Sequence, residues 1–247
     1  MKKIPFFTLI LLLSFNAFSQ SVHQRIQVSD DIELIRLSDN AYIHVSVSEI
    51  PGYGKVSSNG LIFIDEGNAF LFDTPVNDSL TRVLVTWLNK KMGVKITGFV
   101  PNHWHSDCIG GLGYLQSQGI KSYANQITID LARMNHLPVP DSGFRDSLNL
   151  SLGDRQISCY YFGAAHSKDN IVVWIPSEQI LFAGCMVKSM ESDNPGNMAE
   201  ADLEAYPQTL DKISARFPMA KYVIPGHGQF GGMELIRHTK ELITHAK

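Results

Sequence analysis

Two apolar patterns alternate along the chain. Residues 26–37 and 41–47 are rich in β-branched side chains and flank the turn Ser38-Asp39-Asn40, which predicts strands. Residues 61–64 and 69–72 are unbroken apolar runs joined by Glu66-Gly67-Asn68. A run without polar alternation predicts a strand covered on both faces. From Ser79 the spacing changes: Leu80, Val83, Leu84, Trp87 and Leu88 recur at helical intervals, with Asp78 as the expected N-cap and Gly93 as the residue that ends the helix. Residues 96–100 return to strand character.

The second half repeats the plan. A helix is expected over residues 126–136, strands over 157–162, 171–175 and 179–182, a short strand at 222–224, and helices over 203–217 and 233–246. The pair of runs at 61–64 and 70–73 is echoed by those at 171–174 and 180–183. Strands followed by helices, twice over, predict an α/β (α+β) protein in which two mixed β-sheets pack face to face with helices outside. No linker or low-complexity segment interrupts residues 20–247, so they read as one domain.

Residues 1–19 stand apart. Lys2 and Lys3 precede a mostly apolar stretch too short to cross a bilayer, and Ala17-Phe18-Ser19 offers small residues where a signal peptidase reads. The expectation is a cleaved signal peptide, export to the periplasm, no membrane anchor after cleavage and a monomeric product. Loss of Lys2 and Lys3 takes 21 basic residues to 19 against 24 acidic ones, so the net charge moves from −3 to −5. That balance gives no reason to expect nucleic acid or an anionic membrane as a partner. The cysteines are Cys108, Cys159 and Cys185. An odd count in an oxidising compartment suggests a thiol engaged otherwise than in a disulfide. Cys159 sits in a strand of aromatics and reads as core.

The chemistry lies at predicted strand ends. After the strand at 96–100 comes His103-Trp104-His105-Ser106-Asp107, a run that cannot aim all three ligand-type side chains one way on a regular helix but can splay them from a loop. Three more loops follow strands and contain glycine: Gly163-Ala164-Ala165-His166, Gly184-Cys185 and Pro225-Gly226-His227-Gly228. Six ligand-type side chains exceed the need of one tetrahedral zinc and suit two. His103, His105 and His166 would hold the first, and Asp107, Cys185 and His227 the second. Water between two metals is activated at neutral pH, so the substrate should carry an electrophilic carbonyl or phosphoryl group. The remaining histidines read as structural or exposed. Pro51-Gly52-Tyr53-Gly54 reads either as a hairpin turn or as a flap whose tyrosine covers a ligand.

These residues resemble the metallo-β-lactamase superfamily. Many of its thioesterases and lactonases have a histidine after the aspartate of the run and an aspartate where Cys185 stands. With Cys108 and Cys185 instead, the chain resembles subclass B1. Residues 102–116, with Asp169-Asn170-Ile171-Val172-Val173-Trp174, Gly184-Cys185-Met186-Val187-Lys188 and Pro225-Gly226-His227-Gly228, resemble the CcrA/CfiA branch, which carries cysteine at position 108 where most of the subclass has arginine. The resemblance implies an αββα sandwich, two zinc ions and hydrolysis of the β-lactam amide of penicillins, cephalosporins and carbapenems, hence antibiotic resistance. It also implies roles: Asp107 as ligand and orienter of the nucleophile, Lys188 for the substrate carboxylate, Asn197 near the lactam carbonyl, Tyr53 on the flap, and Asp73 with Cys108 behind the ligands. Another hydrolase on the same scaffold, or a purely structural zinc module, are the alternatives.

Overall fold

The computed structural model describes residues 23–50, 52 and 54–245. The expected signal peptide and Tyr53 lie outside the described residues. The first apolar segment is not one strand but a hairpin, β1 (Arg25–Ser29) and β2 (Ile32–Arg36), because Asp30 and Asp31 favour a turn over a ladder. A longer hairpin follows, β3 (Ala41–Ile50) and β4 (Gly54–Asp65), in register from Ala41 opposite Phe63 to Ile50 opposite Gly54. Gly52, between the two strands, has φ 84°.

Next come β5 (Asn68–Phe72), α1 (Asp78–Met92), β6 (Lys95–Val100), the short helices α2 (Ser106–Ile109) and α3 (Leu112–Ser117), β7 (Lys121–Asn125), α4 (Gln126–Met134) and β8 (Ser142–Phe144). The N-cap of α1 is Asn77, not Asp78. Asn77 is extended and its side-chain oxygen accepts from the Leu80 amide at 2.9 Å, whereas Asp78 sits in the first turn and accepts from the Tyr114 amide at 2.7 Å. Gly93 ends α1 in the left-handed region, as expected. The chain then forms β9 (Ser147–Leu152), β10 (Arg155–Tyr160), β11 (Val172–Ile175), β12 (Ile180–Gly184), α5 (Tyr206–Arg216), β13 (Tyr222–Pro225) and α6 (Glu234–His245).

One sheet has eight strands in the order β1 to β8, the other five in the order β13-β12-β11-β10-β9. Both are mixed: β5 to β8 run parallel in the first, as do β12 and β13 in the second. The unbroken apolar runs serve two cores at once. Leu61, Phe63, Phe70 and Phe72 meet Ile157, Val173, Phe182 and Ile224 between the sheets. Ile62, Ile64 and Leu71 point the other way, onto Leu84 and Leu88 of α1 and Leu112 and Leu115 of α3. Leu181 and Val223 likewise pack on Leu210, Ile213 and Ile236 of α5 and α6. This is the expected four-layer sandwich, and each fully buried side chain of this size contributes about 1.5–3 kcal/mol. Among the described residues no helix is long and apolar enough to cross a membrane.

Candidate metal centre

The loops after β6, β10, β12 and β13 meet at one end of the sandwich. The first is held from behind. The Asn102 amide donates to Asp73 Oδ1 at 2.5 Å, the Asn102 side chain donates to the Ile171 carbonyl, and His44 Nε2 donates to the Asp73 carbonyl at 3.1 Å. Asp73 therefore does not reach a ligand directly; it fixes the residue before His103. Gly184 is required here, at φ 58°, because a Cβ would lie 2.3 Å from Asn102 Cγ.

His44 carries a pH prediction. Burial lowers it from its ordinary 6.5 to about 4, so the ring is neutral in the fold. Above about pH 6.5 neither folded nor unfolded chain protonates it. As the pH falls towards 4 only the unfolded chain takes up the proton, and stability drops by about 1.4 kcal/mol per pH unit. His44→Gln should therefore flatten the pH dependence of urea unfolding by one proton between pH 6.5 and 4; an unchanged slope contradicts this.

His103 Nε2 and His105 Nδ1 converge to 2.9 Å, and the His166 ring closes the group with centroids 5.1 and 5.4 Å from those two. Burial, reinforced by neighbouring histidines, holds His103 neutral down to about 3 and His166 down to about 2. The buried His166 Nδ1 has no partner among the described residues.

The second group is more polar. Asp107 Oδ2, in the first turn of α2, lies 3.2 Å from His227 Nε2 and 3.5 Å from Cys185 Sγ, and Cys185 Sγ lies 3.3 Å from His227 Nε2. Burial alone would raise the Asp107 carboxyl, but the hydrogen bond from His227 and the surrounding imidazoles hold it well below the carboxylate range. A hydrogen bond from Cys108 outweighs burial at Cys185 and lowers its thiol to about 6, with His227 adding to the effect. His227 is pushed up: Cys185 and Asp107 outweigh its burial.

Among the described residues, three of the four imidazoles, those of His103, His105 and His227, have their outer nitrogen engaged; that of His166 does not. His103 Nδ1 lies 3.2 Å from Cys108 Sγ, His105 Nε2 3.3 Å from Glu200 Oε2, and His227 Nδ1 donates to the Ser57 carbonyl at 2.7 Å. Such outer partners orient imidazole ligands and select the tautomer. The loop of His227 is clamped by β4, where Asn59 Nδ2 donates to the carbonyls of Pro225 (2.9 Å) and Gly228 (2.8 Å). His103, His105 and His166 can together hold a metal ion, and so can His103, Asp107, Cys108 and Cys185.

All six sequence-predicted ligand residues thus come together, with Cys108 beside them. A cleft of about 480 Å³ opens over them, lined by His105, Asp107, His166 and His227, with Ile50 and Val56 of the β3–β4 hairpin on one side. Asn197 lines it too; it is exposed and accepts from the Ala199 amide at 3.1 Å. Lys188 is half-buried, lies beside Gly196, and is lowered by burial against the opposing pull of Cys185 and Asp107. It does not line the cleft itself. All three cysteines are free and buried, and Cys159 packs in the inter-sheet core, where burial pushes it up to about 12.

The chain is 55% identical over 218 residues to a metallo-β-lactamase type 2 from Bacteroides fragilis, and the match covers 88% of each chain. It belongs to the metallo-β-lactamase family. A type 2 metallo-β-lactamase from Bacillus cereus is 34% identical over 212 residues, 86% of this chain and 82% of that one. The solved structure of a metallo-β-lactamase from Pontibacter korlensis superposes with a TM-score of 0.83 at 35% identity, covering 86% of this chain and 99% of that one. No protein-family model matches the chain. The subclass B1 resemblance read from Cys108 and Cys185 is borne out, with that to the CcrA/CfiA branch read from residues 102–116, and the protein is a metal-dependent hydrolase.

One support in this metallo-β-lactamase escaped the sequence reading. Glu200 Oε2 accepts from Trp104 Nε1 at 2.9 Å as well as facing His105 Nε2, so a single carboxylate braces two adjacent residues of the 103–107 run from a loop about 95 residues away. Nothing in its local sequence marks it; an acid in a polar loop is ordinarily solvated.

Proposed function

We propose that the enzyme is a two-zinc β-lactamase, exported to the periplasm as a monomer after loss of residues 1–19. His103, His105 and His166 would hold one zinc, and Asp107, Cys185 and His227 the other. The observation that carries this reading is the pairing of three imidazoles with an adjacent carboxylate–thiol–imidazole set under an open cleft. Bound zinc supplies water activation at neutral pH and Lewis acidity toward a carbonyl. The protein does the rest. Asp107 orients the attacking water. The Asn197 amide donates to the lactam carbonyl oxygen as it gains charge. The Lys188 ammonium pairs with the substrate carboxylate and fixes the amide over the site. Tyr53, which lies between β3 and β4 in the sequence, would cover the bound substrate. No covalent acyl-enzyme is needed.

The test is turnover of a chromogenic cephalosporin, extended to a penicillin and a carbapenem. Hydrolysis that a chelator abolishes and added zinc restores is the expected result. Cleavage of thioesters or lactones without β-lactam turnover would favour the other hydrolases of this scaffold. A charge-assisted contact is worth about 1.5–3 kcal/mol, so Lys188→Ala should raise KM roughly 10- to 100-fold for substrates that bear the carboxylate. A substrate lacking that carboxylate should be little affected; an equal rise for both would remove Lys188 from binding.

A further inference from the structure

Cys108 belongs to neither ligand triad, yet its position is that of a ligand. Its Sγ is buried at the start of α2, 3.2 Å from His103 Nδ1 and 4.0 Å from Asp107 Oδ1. The ligand atoms of His103, Asp107, Cys108 and Cys185 all lie within 4.8 Å of one another. Compared with Asp107–Cys185–His227, this set has His103 in place of His227 and adds a second sulfur, and the second sulfur changes the ion it favours. Thiolate pairs select soft ions, copper(I) among them, over harder ones. Two sulfurs each about 2.3 Å from a shared ion, as in thiolate–zinc bonds, span at most about 4.6 Å. A pair already inside 4.8 Å closes on one ion with little movement.

We propose that Cys108 and Cys185 form a thiolate-pair site for a soft monovalent d10 cation of the copper(I) and silver(I) class, with His103 and Asp107 beside it. Because Cys185 and Asp107 also serve the second zinc triad, the two ions compete. On binding, Cys108 releases its thiol proton to solvent, the Cys185 sulfur passes from zinc to the incoming cation, and Zn²⁺ leaves. In protein without zinc at this triad, whatever thiol protons the pair still holds go to solvent and no zinc is displaced. A soft cation at this site would therefore shut the enzyme down by taking one of its metals, through a second thiol that a relative with arginine at position 108 would lack.

The probe is silver(I), added at one equivalent to the reduced, zinc-loaded protein in chloride-free buffer. Silver-edge X-ray absorption should show two sulfur neighbours, with about one zinc released per silver. Cys108→Ser should show one sulfur and bind silver at least about 100-fold more weakly, beyond what loss of an outer partner costs. Cys159→Ala should keep the two-sulfur signature. A single sulfur in the unaltered protein, or loss of the second sulfur in Cys159→Ala, overturns the proposal. So does equal silver affinity in Cys108→Ser and the unaltered protein. The sulfur count in the unaltered protein decides the matter even if Cys108→Ser fails to fold. Only the zinc displacement rests on the two-zinc reading. The sulfur count uses no substrate, so failure here and failure of β-lactam turnover are told apart.

Discussion

Cys185→Ser should cost the enzyme one metal ion and at least about 100-fold in turnover, more than the 10–100-fold typical of losing an outer partner. The thiol at 185 is lowered to about 6 and stands 3.3–3.5 Å from His227 Nε2 and Asp107 Oδ2. These neighbours favour the thiolate, the form that ligates zinc. A serine hydroxyl does not ionise there and binds zinc weakly, leaving one carboxylate and one imidazole. The three-histidine group is untouched by the change, since His103, His105 and His166 keep their own loops. Zinc content by mass spectrometry should fall from two per chain to one in step with kcat. Unchanged zinc and unchanged rate would contradict the division into two triads.

Gly226→Ala should be nearly as damaging, by a different route. A Cβ at 226 would lie 2.3 Å from Cys185 Sγ and 2.6 Å from the Cys185 backbone nitrogen. The sulfur could rotate away, but the backbone could not, because Asn59 holds the carbonyl of Gly226 through its amide at 2.8 Å and those of Pro225 and Gly228 through its side chain. Overpacking of this kind costs about 1–3 kcal/mol. That cost should be visible in urea unfolding of the chelator-treated protein, where Cys185→Ser loses much less. Loss of zinc without loss of metal-free stability would mean that the loops accommodate the methyl group, and the close approach would not explain the glycine.

The contrast between those two residues shows what could be read in advance. Cys185, His103, His105, Asp107, His166 and His227 are legible because each follows a strand in a glycine-bearing or clustered setting, and ligand chemistry admits few residue types. The sandwich is legible because runs such as Leu61-Ile62-Phe63-Ile64 have no polar face, which only a strand between two apolar layers tolerates. By contrast β9 alternates exposed Ser147, Asn149 and Ser151 with Leu148 and Leu150, which are only partly buried, and Leu152, so no apolar run announces it. The hairpin turn at Asp30-Asp31 was hidden because the flanking residues are strand formers throughout. Asn77 and Asp78 are both competent caps, and only the backbone at 77 decides between them. The supports of the centre are the least legible of all. Asn59, Ser57 and Glu200 act on ligand loops 95 to 170 residues away, through contacts that leave no local trace.

The most direct test of the central claim is an anomalous-difference map at the zinc edge from crystals of the zinc-loaded protein. Two peaks are expected, one among His103, His105 and His166 and the other among Asp107, Cys185 and His227. A single peak, or zinc bound away from these six side chains, would contradict it.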